Sequence, residues 1–244
     1  MGQNQYDLRS RVAVIPGGAG GVGRAVSLAF AEAGATVIIA SREATRTAAE
    51  QVVSEASGHG WQVAFQAVDV EDESSVAALV TAIASRESHI DVLVNLVGGY
   101  AAGQPVTQVD LRTWRQMQDI NVLTAFLTSK HVGRVMEQQG TGRIINISSR
   151  VAVSGRTNAA AYAVAKGAII TLTEAQAEEL RDTGVTVNCV LPSIIDTPAN
   201  HTAIPNADVS RWPQAEEVAQ VLLFLASDDA KLISGAAIPV YGRA

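Results

Sequence analysis

Cysteine is almost missing from this 244-residue chain: Cys189 stands alone, which excludes an internal disulfide framework and fits a reducing compartment. Long apolar runs are missing too. None approaches the roughly 18–20 residues that would span a bilayer, and the polar opening from Met1 to Ser10 lacks the apolar centre of a signal peptide. Met1-Gly2 begins as a myristoylation signal does, but Tyr6 stands where Ser or Thr is wanted. There is no basic run, and the net charge of −6 speaks against a nucleic-acid or anionic-membrane surface. His59, His89, His131 and His201 show no metal-ligand spacing, so no metal is expected. These absences describe a soluble, cytoplasmic protein.

What is present is apolar: 48% of residues are hydrophobic and 17% charged, far from the composition of a disordered chain. The length suits one domain, 1–244, burying on the order of 70–75% of its unfolded surface. Short β-branched runs at 12–15, 36–40, 62–68, 92–95, 143–147, 185–190 and 236–240 alternate with Ala-rich amphipathic stretches near 22–33, 43–56, 72–87, 113–138, 160–182 and 215–226. That alternation predicts an α/β fold, a doubly wound parallel sheet covered by helices on both faces. The stretch at about 192–213 breaks the rhythm with Pro198, Pro205 and Asn206. Loops of this length are often functional, so it is read as a substrate lid, with a disordered surface loop as the plain alternative.

Directly after the first strand comes Gly17-Gly18-Ala19-Gly20-Gly21-Val22-Gly23, running into a helix. Glycines permit positive φ and remove Cβ atoms, letting backbone approach a pyrophosphate at the positive helix N-terminus. Between strand and helix, this string predicts dinucleotide binding rather than a mere tight turn. The second strand ends in Ser41-Arg42, with no acidic residue until Glu43. An acid there would bond a ribose 2′-hydroxyl and repel a 2′-phosphate, whereas an arginine fork suits phosphate. NADP(H) is therefore favoured and NAD(H) remains open, as does a merely solvated Arg42. Asp69, followed by Val70, closes the third strand; it either accepts a bond from the adenine amino group or caps the next helix.

Tyr162 and Lys166 are four apart on a predicted helix and share one face. An ammonium beside a phenol is expected to lower the tyrosine pKa from its usual value of about 10 and make it a usable acid/base. Ser149 lies just past the fifth strand, at the carboxyl edge where doubly wound folds bind ligands. Asn121 falls inside the long predicted helix, where an amide is a poor helix former and implies a local bend or a held water. Each of these four residues alone is an ordinary polar contact.

As a set, the glycine loop, Asn121, Ser149 and Tyr162-x-x-x-Lys166 resemble the motifs of the short-chain dehydrogenase/reductase family, including its 3-oxoacyl-[acyl-carrier-protein] reductase-like members. Order and spacing agree from Arg11 to the C-terminus. The resemblance implies a seven-stranded Rossmann-like domain and hydride transfer between a nicotinamide and a carbonyl or secondary alcohol. It makes Tyr162 the acid/base, Lys166 its partner and a contact of the nicotinamide ribose, Ser149 the group that polarises the carbonyl, and Asn121 the holder of a relay water. Asn95, Pro192, Ile195 and Thr197 then join the cofactor site, the last two at the carboxamide. Three departures stand out: Pro16 replaces a threonine before the glycine loop, Leu96-Val97 interrupts the family's Asn-Asn-Ala-Gly, and Ser193 replaces the glycine after Pro192.

The substrate is expected to be a small carbonyl or alcohol. The carrier-docking arginines of 3-oxoacyl reductases fall at Gly140 and Thr183 here, although nearby Arg143 and Arg181 could compensate. Thioesters of acyl carrier protein or coenzyme A are thus the alternative substrates, and a non-catalytic dinucleotide-binding protein is the rival class. Tyr100, Arg150, His201 and Trp212 are candidates to line the pocket; Trp212 serves equally well as packing that anchors the lid, and Arg150 as a solvated arginine. Cys189, in an apolar strand, reads as a buried inert thiol. Helices 113–138 and 160–182 resemble those that join subunits in this family, so a homotetramer is expected, with a dimer as the fallback.

Overall fold

The computed structural model describes residues 6–243; the Met1-Gly2 opening and Ala244 lie outside them. Seven parallel strands form one sheet in the order β3-β2-β1-β4-β5-β6-β7. They are β1 (Val12–Pro16), β2 (Thr36–Ser41), β3 (Val63–Ala67), β4 (Val92–Asn95), β5 (Gly142–Ile147), β6 (Val185–Pro192) and β7 (Ala237–Val240). The predicted strands and the doubly wound arrangement hold.

Strand periodicity explains the two-sided core. In β1, Ala13 and Ile15 face one hydrophobic layer while Val12 and Val14 face the other. The first layer is filled by α1 (Gly21–Glu32), α2 (Arg46–Gly58) and α9 (Ala215–Ala226), through Val26, Phe30, Val52 and Leu222. The second holds α3 (Glu73–Glu87), α5 (Thr124–Gln139) and α7 (Ala160–Glu179), through Leu79, Ile83, Met136 and Ala177. Helices therefore cover both faces of the sheet, as an all-parallel sheet requires, with the edge strand β3 left partly exposed.

Strand order reverses at β1, which pairs with β2 on one side and β4 on the other. The carboxyl ends of these strands diverge there, leaving the crevice in which such sheets place ligands. Asp72, not Asp69, caps α3, accepting a bond from Ser74 N at 2.9 Å. The long helix expected at 113–138 is interrupted: α4 (Leu111–Gln118) and α5 are joined by a π-helical turn at Asp119–Leu123. Nor is 192–213 a free loop, for it contains α8 (Pro198–Ala203) and a 3₁₀ turn at Val209–Arg211. The short α6 (Val151–Ser154) follows β5.

Candidate active site

The glycine loop divides the crevice into two cavities. A close approach forces glycine at two of its positions. Gly17 has φ +80°, and a Cβ on it would lie 3.0 Å from Val97 N; a Cβ on Gly23 would overlap the Gly17 carbonyl oxygen. Gly18 packs equally tightly, its carbonyl accepting from Ser27 Oγ at 3.0 Å. At Gly20 and Gly21, by contrast, an added Cβ would make only ordinary contacts, at 3.5 and 3.4 Å. Gly20 caps α1 without a side-chain bond, and the first turn contains no acid. The first-turn N–H groups and the dipole thus remain available to an anion.

On one side lies a cavity of about 540 Å³ bordered by Gly21, Val22, Ser149, Tyr162 and Lys166, with Pro192, Ile195 and Thr197 across from them. On the other lies one of about 430 Å³, bordered by Gly17, Gly20, Ser41, Arg42, Asp69 and Val70. Two chambers straddling a helix N-terminus suit the two halves of a dinucleotide with its pyrophosphate between them. The residues present fit that cofactor.

In the first chamber Lys166 is 6% exposed and its Nζ donates to the Ile147 carbonyl at 2.9 Å. Burial lowers its pKa to about 8. The Lys166 carbonyl accepts from Ser148 Oγ at 2.6 Å. Burial raises the Tyr162 pKa; a hydrogen bond with Ser149 opposes the rise, and Tyr100 adds to it. This reverses the expected depression by Lys166. The ammonium sits 5.9 Å from the phenol ring centroid and faces the Ile147 carbonyl, so desolvation of Tyr162 outweighs its pull.

Asn121 occupies the π-helical turn. Its Nδ2 donates to Met117 O at 2.9 Å and Gly99 O at 3.1 Å, and its Oδ1 accepts from Gly99 N at 3.2 Å. The predicted bend is thus a clamp on the loop after β4, and π-helical turns recur at functional sites. A Cβ on Gly98 would lie 2.8 Å from Asn121 Oδ1 and 3.2 Å from Lys166 Nζ, so both polar atoms face one point beside Gly98.

Other predicted residues differ in where they stand relative to the two cavities. Asn95 borders neither chamber; its side chain joins a buried network, donating to Asn146 Oδ1 at 2.8 Å and Ser129 Oγ at 3.1 Å while accepting from Thr128 Oγ1 at 2.7 Å. Both donors of its amide are used within the core. Asp69 borders the second chamber and accepts from Glu71 N at 3.1 Å. Tyr100 meets Tyr162 edge to face, centroids 4.9 Å apart, at the mouth of the site.

The remaining three substrate candidates lie outside the catalytic chamber. Arg150 stacks its guanidinium 5.2 Å above the Tyr241 ring. His201 Nε2 approaches Asp196 Oδ1 at 2.5 Å. Trp212 is buried and meets the His201 ring edge-on, which is packing that anchors the segment rather than pocket lining. The departure Ser193 has a use of its own, donating from Oγ to Tyr241 O at 2.7 Å.

Two contributors escaped the sequence reading. Thr45 lines the second chamber and hydrogen-bonds the Ser41 hydroxyl at 2.8 Å. Asn200 lines the first, donating through Nδ2 to Ile195 O at 2.8 Å, while its N–H bonds Thr197 Oγ1 at 3.3 Å. Spacing carried a signal only for Asn200, which lies three residues after a Thr-Pro helix start.

A family model for short chain dehydrogenases matches residues 11–208. The chain belongs to the short-chain dehydrogenase family. A cis-4-hydroxycyclohexanecarboxylate dehydrogenase of Sinomonas cyclohexanicum is 34% identical, covering 95% of each chain. A 3-oxoacyl-[acyl-carrier-protein] reductase of Thermotoga maritima is 32% identical over 96% of this chain and 98% of its own. Among solved structures, a Beutenbergia cavernae protein, provisionally named an NAD(P)-dependent gluconate 5-dehydrogenase and carrying NADP at low occupancy, superposes with a TM-score of 0.89. It is 31% identical and covers 99% of this chain and 98% of its own. The protein is accordingly an NAD(P)-dependent oxidoreductase of the short-chain type. Among the described residues, no helix is long and apolar enough to cross a membrane.

Proposed function

We propose that this dehydrogenase is an NADP(H)-preferring carbonyl reductase in which Tyr162 is the general acid. The observation that carries the reading is Tyr162 itself, held against Ser149 at the end of β5 in a chamber shared with Lys166, its pKa raised by burial. A phenol so placed is protonated at neutral pH and ready to donate.

The bound nicotinamide supplies the hydride. Ser149 Oγ, 8% exposed beside Tyr162, hydrogen-bonds the substrate carbonyl oxygen and polarises it. Tyr162 then donates its proton to that oxygen as negative charge develops there. Lys166, whose pKa of about 8 leaves it mostly protonated at pH 7, favours the phenolate that remains and holds the ribose. Asn121 and Lys166 converge on one point beside Gly98, where a relay water returns the proton. Gly21, Val22, Ile195 and Thr197 hold the nicotinamide half; Gly17, Gly20, Ser41, Asp69 and Val70 hold the adenosine half. Arg42 reads the 2′-phosphate.

Substrate enters past Tyr100 and beneath the segment 192–213, which acts as the lid. The relatives' names span a cyclic hydroxy acid and a carrier-bound 3-oxoacyl group. A free ketone is favoured because Gly140 and Thr183 stand where the carrier-docking arginines fall, and Arg143, which could have compensated, is buried and paired with Asp228 at 3.3 Å. The enzyme is proposed to work in the cytoplasm as a homotetramer. The groove between α5 and α7, where Phe126 is exposed and Gln176 Oε1 is buried without a partner among the described residues, supports subunit contact.

Parallel fluorescence titration with NADPH and NADH tests the cofactor assignment, repeated with Arg42→Ala. Tighter NADPH binding that Arg42→Ala removes is the expected result. NADH preference in the wild type would shift the reading to an oxidising NAD enzyme, and binding of neither would leave a scaffold.

A further inference from the structure

Beyond the adenosine chamber lies a second, more polar cavity of about 660 Å³. The two are neighbours, sharing Arg42, Glu71, Gly98 and Ile120 along their borders. Helix α4 forms the far wall and turns Arg112 and Arg115 towards it, three apart and hence on one face. Arg42, Arg112 and Arg115 thus surround one space.

These three arginines differ from most others in the molecule. Arg11, Arg24, Arg46 and Arg143 each pair with a carboxylate within 4 Å. Among the described residues none of the guanidinium groups of Arg42, Arg112 and Arg115 does so, although Glu71 and Asp119 border the same cavity. The acid nearest Arg112 in sequence, Asp110, feels its charge but spends its hydrogen bonds capping α4, accepting from Thr113 N at 2.7 Å and Thr113 Oγ1 at 3.1 Å. Three unpaired, always-charged forks around a polar cavity are suited to a phosphate monoester, whose dianion accepts several charge-assisted bonds at once.

We infer that Arg112 and Arg115 complete, together with Arg42, a site for the phosphate on the 2′-position of the cofactor's adenosine ribose. This rests on the NADP(H) reading above and assigns α4 a part in cofactor selection, though α4 lies opposite the strand end where Arg42 sits. A separate phosphate-bearing ligand would present the same chemistry, but Arg42 borders both this cavity and the adenosine chamber, which favours the cofactor as its source. Helix α4 also leads into the π-helical turn that carries Asn121, so one element serves both the phosphate and the catalytic chamber.

Calorimetric titration with 2′-phospho-ADP-ribose and with ADP-ribose isolates the phosphate, because neither ligand carries a nicotinamide. Wild type, Arg42→Gln and the double variant Arg112→Gln/Arg115→Gln are compared. The double variant is expected to lose about tenfold or more in affinity for 2′-phospho-ADP-ribose, with ADP-ribose changed by less than about twofold. Unchanged affinity for the phosphorylated ligand, in a wild type that prefers it and loses that preference in Arg42→Gln, overturns the inference and spares the NADP(H) reading. Equal loss for both ligands signals a structural effect and also overturns it. A wild type without preference overturns the NADP(H) reading, and the inference with it. Inorganic phosphate that stabilises the wild type to heat without competing with 2′-phospho-ADP-ribose would show a separate phosphate ligand and overturn the assignment.

Discussion

The two chambers beside the glycine loop are built in opposite ways. On the catalytic side the polar groups are buried and bonded: Asn121, Ser149 and Lys166 are each less than a tenth exposed, and Asn121 and Lys166 reach backbone carbonyls. On the adenosine side Arg42, Arg112 and Arg115 are exposed and unpaired. The first arrangement holds the polar atoms in place, as proton transfer demands. The second holds charge in readiness and discriminates between ligands without contributing to the fold. Substitutions on the catalytic side should therefore change rate and stability together, while those on the adenosine side change affinity alone.

The largest test of this contrast is Tyr162→Phe. Removing the proton donor should lower kcat by about 10²–10⁴-fold, while NADPH affinity by fluorescence stays within about twofold. Turnover near wild type would remove Tyr162 from the mechanism. Raised by burial, the phenol should also leave an imprint on pH: reduction requires its protonated form, so kcat should hold through neutrality and fall on the alkaline side. A rate that instead climbs with pH would contradict a tyrosine acid.

Lys166→Met sharpens the comparison, because here function and stability oppose each other. Burial brings the lysine from 10.5 down to about 8. The unfolded chain therefore binds the proton more tightly, and the folded state is destabilised below pH 8 by on the order of 3 kcal/mol. The penalty shrinks as pH rises from 8 to 10.5. Lys166→Met should accordingly raise the melting temperature of the cofactor-free protein at pH 7, with the gain fading towards pH 10, while kcat and NADPH affinity both fall. A lower melting temperature across the whole range would show that the bond to Ile147 O outweighs desolvation.

Much of this was legible in the sequence because it depends on period and order. Alternation of β-branched runs with Ala-rich stretches locates all seven strands, and the four-residue interval places Tyr162 and Lys166 on one helix face. Asn121 marked a local bend, but nothing in Met117-Gln118-Asp119-Ile120-Asn121 shows that the bend takes the form of a π-helical turn. Only the contact of Asn121 with Gly99, 22 residues away, gives its reason. Asn95 was misplaced for a related cause: at a strand end its amide is equally suited to a ligand or to Asn146 on the neighbouring strand, and pairing decides. Trp212 and Arg150 resolved through partners, His201 and Tyr241, that lie on other turns of chain. The direction of the Tyr162 shift depends on burial, and four-residue spacing carries no measure of burial.

The smallest effect separates two glycines three residues apart. In a helix, Ala is favoured over Gly by about 1 kcal/mol, so Gly23→Ala would stabilise α1 if space allowed. It does not, because the new Cβ would overlap the Gly17 carbonyl oxygen, a backbone atom that cannot swing aside. Gly23→Ala should therefore cost about 1–3 kcal/mol net, measured by urea denaturation, and should weaken both NADPH and NADH by distorting the loop. At Gly20 the backbone is extended, φ −72° and ψ 177°, and the nearest atom to an added Cβ is 3.5 Å away. Gly20→Ala should leave stability within about 0.5 kcal/mol and lower affinity only through crowding of the pyrophosphate. If the two variants prove equally stable, the approach of α1 to Gly17 is not what demands glycine at 23, and the loop's shape must come from the strand ends instead.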